Sequence, residues 1–207
     1  MKTELTEKKI QDALFSRFRP GPYLFHLCNT FVFRFDWESD FYFQSRSGIH
    51  IEIEIKISRA DFKKDLLKVR KHKILDLVTN KGAQLIPFPH RHPHPFGDDE
   101  EYWAKQPLTG QSNSINWFDI TKNPVPNKFY YAAPPGLIKI SEIPDYAGLI
   151  EVDENSSTIV KKAPIIHKNK YDLNRIIMTK YYWKYVNNRF NIDTAALEIE
   201  DLKNGNS

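Results

Sequence analysis

Glu52, Glu54 and Lys56 occupy alternate positions in the run Ile51-Glu52-Ile53-Glu54-Ile55-Lys56-Ile57-Ser58. In an extended chain alternate side chains share a face, so the three charges point one way while Ile51, Ile53, Ile55 and Ile57 point the other, into a core. Neighbours on one face rise roughly 6.6 Å apart, near enough for a carboxylate and an ammonium to act on one reacting group. A solvated antiparallel strand alternates in the same way with no chemistry attached. The preceding segment favours chemistry. Over residues 34–43 the alternation sets Phe35, Trp37, Phe41 and Phe43 on one face and Asp36, Glu38, Asp40 and Tyr42 on the other. If the polar, glycine-containing stretch 44–48 is a hairpin connection, Asp40 and Glu54 can approach each other. Two carboxylates so close repel unless a cation joins them, and a divalent metal is the natural occupant.

The flanking elements must hold these groups in place. Thr6 followed by Glu7, Ile10, Leu14 and Phe18 predicts a capped amphipathic helix, stopped by Pro20-Gly21-Pro22. Glu7 and Gln11, one turn apart on it, can face either a metal site or solvent. Ser58-Arg59-Ala60-Asp61 has the form of a capping box and starts a helix directly after the charged strand. That helix is expected to turn Phe62, Leu66 and Val69 to the core and Lys64, Lys68 and Lys71 along another face. Further strands are expected at 128–133, 148–152 and 158–160. A final helix over about 171–190 carries Tyr181, Tyr182, Trp183 and Tyr185, expected to pack against the domain rather than to stack on bases.

With 207 residues, 41% of them hydrophobic, the chain can bury a sizeable core and reads as one domain, 1–207, with elaborations. The net charge of +4 permits nucleic-acid binding without requiring it. Its distribution says more: residues 59–73 hold seven Lys and Arg against two Asp. A lone cysteine, Cys28, excludes an internal disulfide, suits a reducing cytoplasm and has buried packing as its default role. The absence of a signal peptide or long apolar run argues against secretion and membrane spanning.

Residues 80–126 differ in character, with Pro87, Pro89, Pro93, Pro95, Pro107, Pro124 and Pro126 breaking any long regular element. The stretch reads as an insertion or extended loop. His90, His92 and His94 alternate within it, beside the acidic run 98–101, but they make no closed four-ligand zinc set.

Asp40, then Glu54-Ile55-Lys56 on the next strand, then a helix, resembles the PD-(D/E)XK nuclease superfamily. The wording around the motif is more specific: Glu-Ile-Lys-Ile-Ser-Arg-Ala-Asp-Phe-Lys-Lys-Asp from 54, Asn-Lys-Phe-Tyr-Tyr-Ala-Ala-Pro-Pro-Gly-Leu-Ile from 127, Pro-Asp-Tyr-Ala-Gly-Leu-Ile-Glu-Val from 144 and Lys-Lys-Ala-Pro from 161. That succession is similar to the MmcB-like, DNA-repair-associated branch and its phage relatives, over most of residues 36–167 apart from the proline-rich insert. The resemblance implies an α/β, restriction-endonuclease-like fold, a central mixed β-sheet flanked by helices. It implies a bacterial or phage DNA endonuclease or structure-specific repair nuclease, as a monomer or homodimer, with a DNA-binding protein that keeps the fold but not the activity as the alternative.

On that pattern Asp40, Glu54 and the backbone carbonyl of Ile55 would hold one or two Mg²⁺ or Mn²⁺ ions. The ion would polarise the scissile phosphate and generate hydroxide from water, and Lys56 would assist at the phosphate. Ser39 stands where a proline usually precedes the first aspartate, which leaves Glu38 and Asp40 as alternatives for that ligand. Glu52 would support a second ion or be hydrated. Lys63, Lys64, Lys68, Arg70, Lys71 and Lys73 would meet DNA phosphates, giving affinity without base specificity.

Overall fold

A computed structural model describes residues 5–18, 23–34, 37–89, 115–154 and 156–190. The chain falls into two compact units, 1–171 and 172–207. In the first, helix α1 (Glu7–Arg17) starts where the Thr6 hydroxyl accepts the Lys9 N–H at 3.4 Å. Ile10 and Leu14, one turn apart, form its buried stripe. Then follow β1 (Tyr23–Arg34), β2 (Trp37–Ser45), β3 (His50–Ile55), α2 (Arg59–Asp65), α3 (Val69–Lys81), β4 (Leu85–Pro89), β5 (Ile115–Asp119), β6 (Lys128–Ala133), a 3₁₀ turn (Ile140–Glu142), β7 (Ala147–Val152) and β8 (Ser157–Lys161).

Six strands make one mixed sheet in the order β1-β2-β3-β6-β7-β8. The β3-β6-β7 centre is parallel and the outer pairings are antiparallel. The architecture is α/β, a mixed sheet flanked by helices. Alternation divides the core between the two faces. On one, Ile10 and Leu14 of α1 join Phe41, Phe43, Ile51, Ile53, Ile55, Tyr130, Ala132, Ile150 and Val152. On the other, Phe62 of α2 and Ile74, Leu75 and Val78 of α3 join Phe129, Tyr131, Ala133, Ala147 and Leu149. Cys28 is half-buried at the edge of the first group.

Two features set the position of β3. The hairpin turn places Gly48 at φ 76°, a left-handed conformation that costs glycine little, and fixes the register Phe41↔Ile53 and Tyr42↔Glu52. On the other side, buried Asn127 ties the starts of β3 and β6. Its Oδ1 accepts the His50 N–H and its own N–H donates to the His50 carbonyl, both at 2.8 Å, while Nδ2 donates to the carbonyls of His167 and Asn169.

Several sequence expectations need correction. Ile57 is 49% exposed, because β3 ends at Ile55. Trp37 does not share the face of Phe41 and Phe43 but joins the opposite core, where its indole donates to Glu52. Phe35 and Asp36 lie outside the described residues. The basic helix is two helices, broken at 66–68, and the break resets the helical phase so that Lys71 faces inward and is 7% exposed. Regular structure also enters the proline-rich stretch: β4 and β5 pair antiparallel, Pro87 being accommodated in a two-stranded sheet, and Ile86 and Phe118 reach the core. His90, His92, His94 and the acidic run lie outside the described residues.

In the second unit, helix α4 (Asn174–Phe190) forms three residues later than the expected start. Its Tyr181, Tyr182, Trp183 and Tyr185 are exposed, with the Tyr182 and Trp183 rings 5.5 Å apart. At 100° per residue those positions spread around more of the helix than one contact stripe covers.

Gly148 is the most closely hemmed of the described glycines. A Cβ there would come within 2.4 Å of the Tyr130 ring and 2.6 Å of the Ala163 nitrogen. Gly148→Ala is therefore expected to cost about 1–3 kcal/mol through overpacking, read from the urea midpoint at unchanged slope.

Candidate active site

The site forms at the start of β2 and the end of β3, where their pairing gives out. Register Phe41↔Ile53, carried one residue on, sets Asp40 opposite Glu54. There Asp40 Oδ2 accepts the Ile55 N–H at 2.7 Å, replacing the backbone partner that β2 no longer supplies. A strand residue's N–H and C=O point to the same neighbour, so the Ile55 carbonyl faces the Asp40 side as well. Glu38 is exposed, and Asp40 is the residue whose carboxylate reaches β3. Gln11 of α1 donates to the Asp40 carbonyl at 3.2 Å and to Asn29 Oδ1 at 2.7 Å, so it supports the Asp40 backbone. Glu7 stays at the surface.

Lys56 N–H donates to the Ala132 carbonyl at 2.9 Å, which holds the residue on β6 after β3 has ended. Its ammonium converges on three carboxylates: Glu54 Oε2 at 3.0 Å, Asp65 Oδ1 at 3.3 Å and Asp40 Oδ2 at 3.9 Å. Lys71 stands behind them, 2.6 Å from Glu52 Oε1 and 2.5 Å from Glu54 Oε1, with the Trp37 and Phe129 rings at 5.1 and 4.9 Å. Lys68, its side chain 43% exposed, reaches Asp65 Oδ1 at 3.0 Å and Glu54 Oε2 at 3.8 Å.

Glu52 is closed off from bulk solvent. It is fully buried, accepts from the Trp37 indole at 2.6 Å, and leaves Oε2 without a hydrogen-bond partner among the described residues. The Lys71 ammonium also fills the place between Glu52 and Glu54 that a second ion would need. Lys71 itself is removed from the set expected to meet phosphates. Lys63 and Lys64 on α2 are exposed, and Lys68, Arg70 and Lys73 are partly so.

Four residues of the cluster escaped sequence reading. Asp65 is 2% exposed and accepts from the Tyr131 hydroxyl at 3.0 Å. His72 Nε2 donates to the Asp65 carbonyl at 2.7 Å and lies 3.3 Å from its Oδ2. A carbonyl can only accept, so Nε2 carries a proton, and the Tyr146 hydroxyl is hydrogen-bonded to Nδ1 at 2.6 Å. The one sequence signal was Asp65 falling three residues after core Phe62, a carboxylate on an apolar stripe.

Around Lys56 and Lys71, Asp40, Glu52, Glu54 and Asp65 face Lys56, Lys68 and Lys71, one more acid than base. The protonation pattern follows. Burial would raise Glu54, but Lys71 and Lys56 outweigh it and hold the carboxyl below its ordinary range. Asp65 is held well below it against the same burial, by the His72 hydrogen bond and then by Lys71, Lys56 and Lys68. Both ammonium groups are pushed up, the carboxylates overcoming burial. The excess appears elsewhere: burial and then the Glu54 charge lift Asp40 to about 7, and burial lifts Glu52 to about 7 despite Lys71.

Because the folded Asp40 carboxyl holds its proton to a higher pH than its ordinary 3.8, its contribution to stability is full below that value and lost as pH rises through about 7. A carboxylate-resolved NMR titration of the metal-free protein is expected to show Asp40 ionising near 7, and saturating Mg²⁺ to move that transition down. A normal carboxylate value without metal would contradict the burial argument.

The donor set fits a hard divalent ion. Mg²⁺ binds through one or two carboxylates and keeps several waters, and Asp40, Glu54 and the Ile55 carbonyl offer oxygen only. A carboxyl kept protonated by burial and then by the Glu54 charge is what a cation there would relieve. Among the described residues no group of three or more His, Cys, Asp or Glu side chains stands at metal-holding spacing. Among the described residues, too, no helix is long and apolar enough to cross a membrane.

No family model matches the chain, and the curated proteins hold no match. One solved structure is similar: the SPO1766 protein of unknown function from Silicibacter pomeroyi, 14% identical, covering 97% of this chain and 94% of that one with a TM-score of 0.51. The likeness shows that the chain shares the fold of that protein.

Proposed function

We propose that the protein is a metal-dependent DNA nuclease of the restriction-endonuclease-like, PD-(D/E)XK kind, hydrolysing phosphodiester bonds with Mg²⁺ or Mn²⁺ held by Asp40, Glu54 and the Ile55 carbonyl. The observation that carries this reading is the convergence of Asp40, Glu54 and Lys56 at the shared end of β2 and β3. A bound ion supplies Lewis-acid polarisation of a phosphoryl oxygen and acidification of a water. The chain supplies the rest. Asp40, the most open of the three carboxylates around Lys56, faces the approach of substrate, its side chain 26% exposed against 1% for Glu54 and Asp65. Lys56, whose ammonium keeps its proton at any working pH, orients the attacking water or stabilises the negative charge that grows on the phosphorane. Lys68, with Lys63 and Lys64 on α2, extends the positive surface outward to the flanking phosphates.

A second reading, a DNA-binding protein without turnover, draws on one observation: both Glu54 oxygens already accept from lysine ammonium groups. Supercoiled, linear and branched DNA incubated with the purified protein and Mg²⁺ or Mn²⁺ separates the two. Cleavage that stops with a chelator and with Asp40→Ala plus Lys56→Ala supports the nuclease; cleavage that survives both substitutions sinks it. Salt-sensitive binding with no cleavage favours the second reading.

A further inference from the structure

Asp40 and Glu54 are the carboxylates of the proposed metal site, yet Lys56 Nζ lies between them, 3.9 Å from one and 3.0 Å from the other. An ammonium in that position competes with any cation for the same oxygens. For the metal and the protonated lysine to coexist, Lys56 needs another anion within reach, still close enough to the phosphate. Asp65 is that anion, 3.3 Å from Nζ.

We propose that Asp65 is a positioning residue, a second berth that draws the Lys56 ammonium aside so that a divalent cation can settle on Asp40 and Glu54 without expelling the lysine. The inference rests on the metal-site reading above and deepens it.

The surroundings of Asp65 suit a fixed berth. Oδ2 is held by the Tyr131 hydroxyl at 3.0 Å, and the backbone carbonyl by His72, itself held by Tyr146. Oδ1, the oxygen nearest Lys56, also meets Lys68 at 3.0 Å, and among the described residues no neutral donor takes it. Every hydrogen bond to Asp65 favours its ionised form, so the berth is charged whether or not a metal is present. Glu52 cannot serve the same purpose, because Lys71 already occupies it from the far side.

The test measures Mn²⁺ affinity by calorimetry on the whole chain without DNA, in wild type, Asp65→Asn, Lys56→Met and Lys56→Met/Asp65→Asn. With the berth gone, Lys56 falls back on Glu54 and Asp40, and Asp65→Asn is expected to bind Mn²⁺ at least about tenfold more weakly, the size typical of losing a second layer of support around a metal. Once Lys56 is removed there is nothing to draw aside, so the Asp65→Asn change is expected to have no effect in the Lys56→Met background. An equal loss in both backgrounds means Asp65 is only structural and overturns the proposal, as does no loss in either. If Asp65→Asn does not fold, as judged by circular dichroism, Asp65→Ser takes its place in both backgrounds with the same expected outcomes. A wild type that binds no Mn²⁺ removes the metal-site reading and this inference together, whereas normal wild-type binding with no Asp65 effect removes the inference alone.

Discussion

Lys71→Met is expected to destabilise the protein by about 3–5 kcal/mol, the usual consequence of leaving buried carboxylates without their counterion. Lys71 is the only ammonium that touches both Glu52 and Glu54 among the described residues, at 2.6 and 2.5 Å, and all three side chains are at most 7% exposed. Methionine keeps much of the packing against Trp37 and Phe129 and removes only the charge. Protonating Glu52 relieves part of the loss, since that carboxyl already holds its proton to about pH 7. Glu54, held ionised by Lys71, bears the rest. Adding Glu52→Gln to Lys71→Met is therefore expected to recover little, and adding Glu54→Gln to recover more. Urea unfolding of the single and double variants checks this, and a loss below about 1 kcal/mol for Lys71→Met would place the pair with ordinary surface ion pairs.

On the proposed nuclease reading, Asp40→Asn is expected to lower metal-dependent DNA cleavage by about a thousandfold or more, several kcal/mol of transition-state stabilisation, with the fold intact. Asparagine can still accept the Ile55 N–H that Asp40 Oδ2 takes at 2.7 Å, so the end of β3 keeps its support while the charge is lost. Glu38→Gln, two residues earlier on the same strand and exposed, is expected to leave cleavage unchanged. Rates measured at saturating and limiting Mg²⁺ divide the Asp40 effect between metal binding and the chemical step. Equal losses from both substitutions would show that the register of the β2–β3 hairpin differs from Phe41↔Ile53.

Much of the site was legible because strand alternation is a local property. The Ile51–Ile55 stripe, the Glu54 and Lys56 face, the Thr6 and Ser58 caps and the strands around Phe129 and Leu149 all follow from period and cap chemistry within a few residues. The failures arose where distant segments act on each other. Lys71 read as one more cation on a basic helix, and only the break at 66–68 turns it inward. Glu52 and Glu54 are equivalent by alternation and share Lys71, and they differ because the Trp37 indole closes over Glu52 while Lys56 reaches Glu54. Asp65, His72, Tyr131 and Tyr146 come from a helix, the helix after it, and a strand and the chain leading to its neighbour, a convergence no spacing announces.

By itself the sequence determined that a charged strand face follows an acidic strand and precedes a basic helix, because side-chain direction along an extended chain is set by backbone geometry alone. The tertiary structure decided which of those charges share one buried volume. Removing them from water makes each carboxylate depend on the ammonium beside it. That dependence, with the His72 hydrogen bond to Asp65, holds Glu54 and Asp65 ionised, while burial keeps Asp40 and Glu52 protonated to about pH 7, and Lys71 turns from a surface cation into the centre of the cluster.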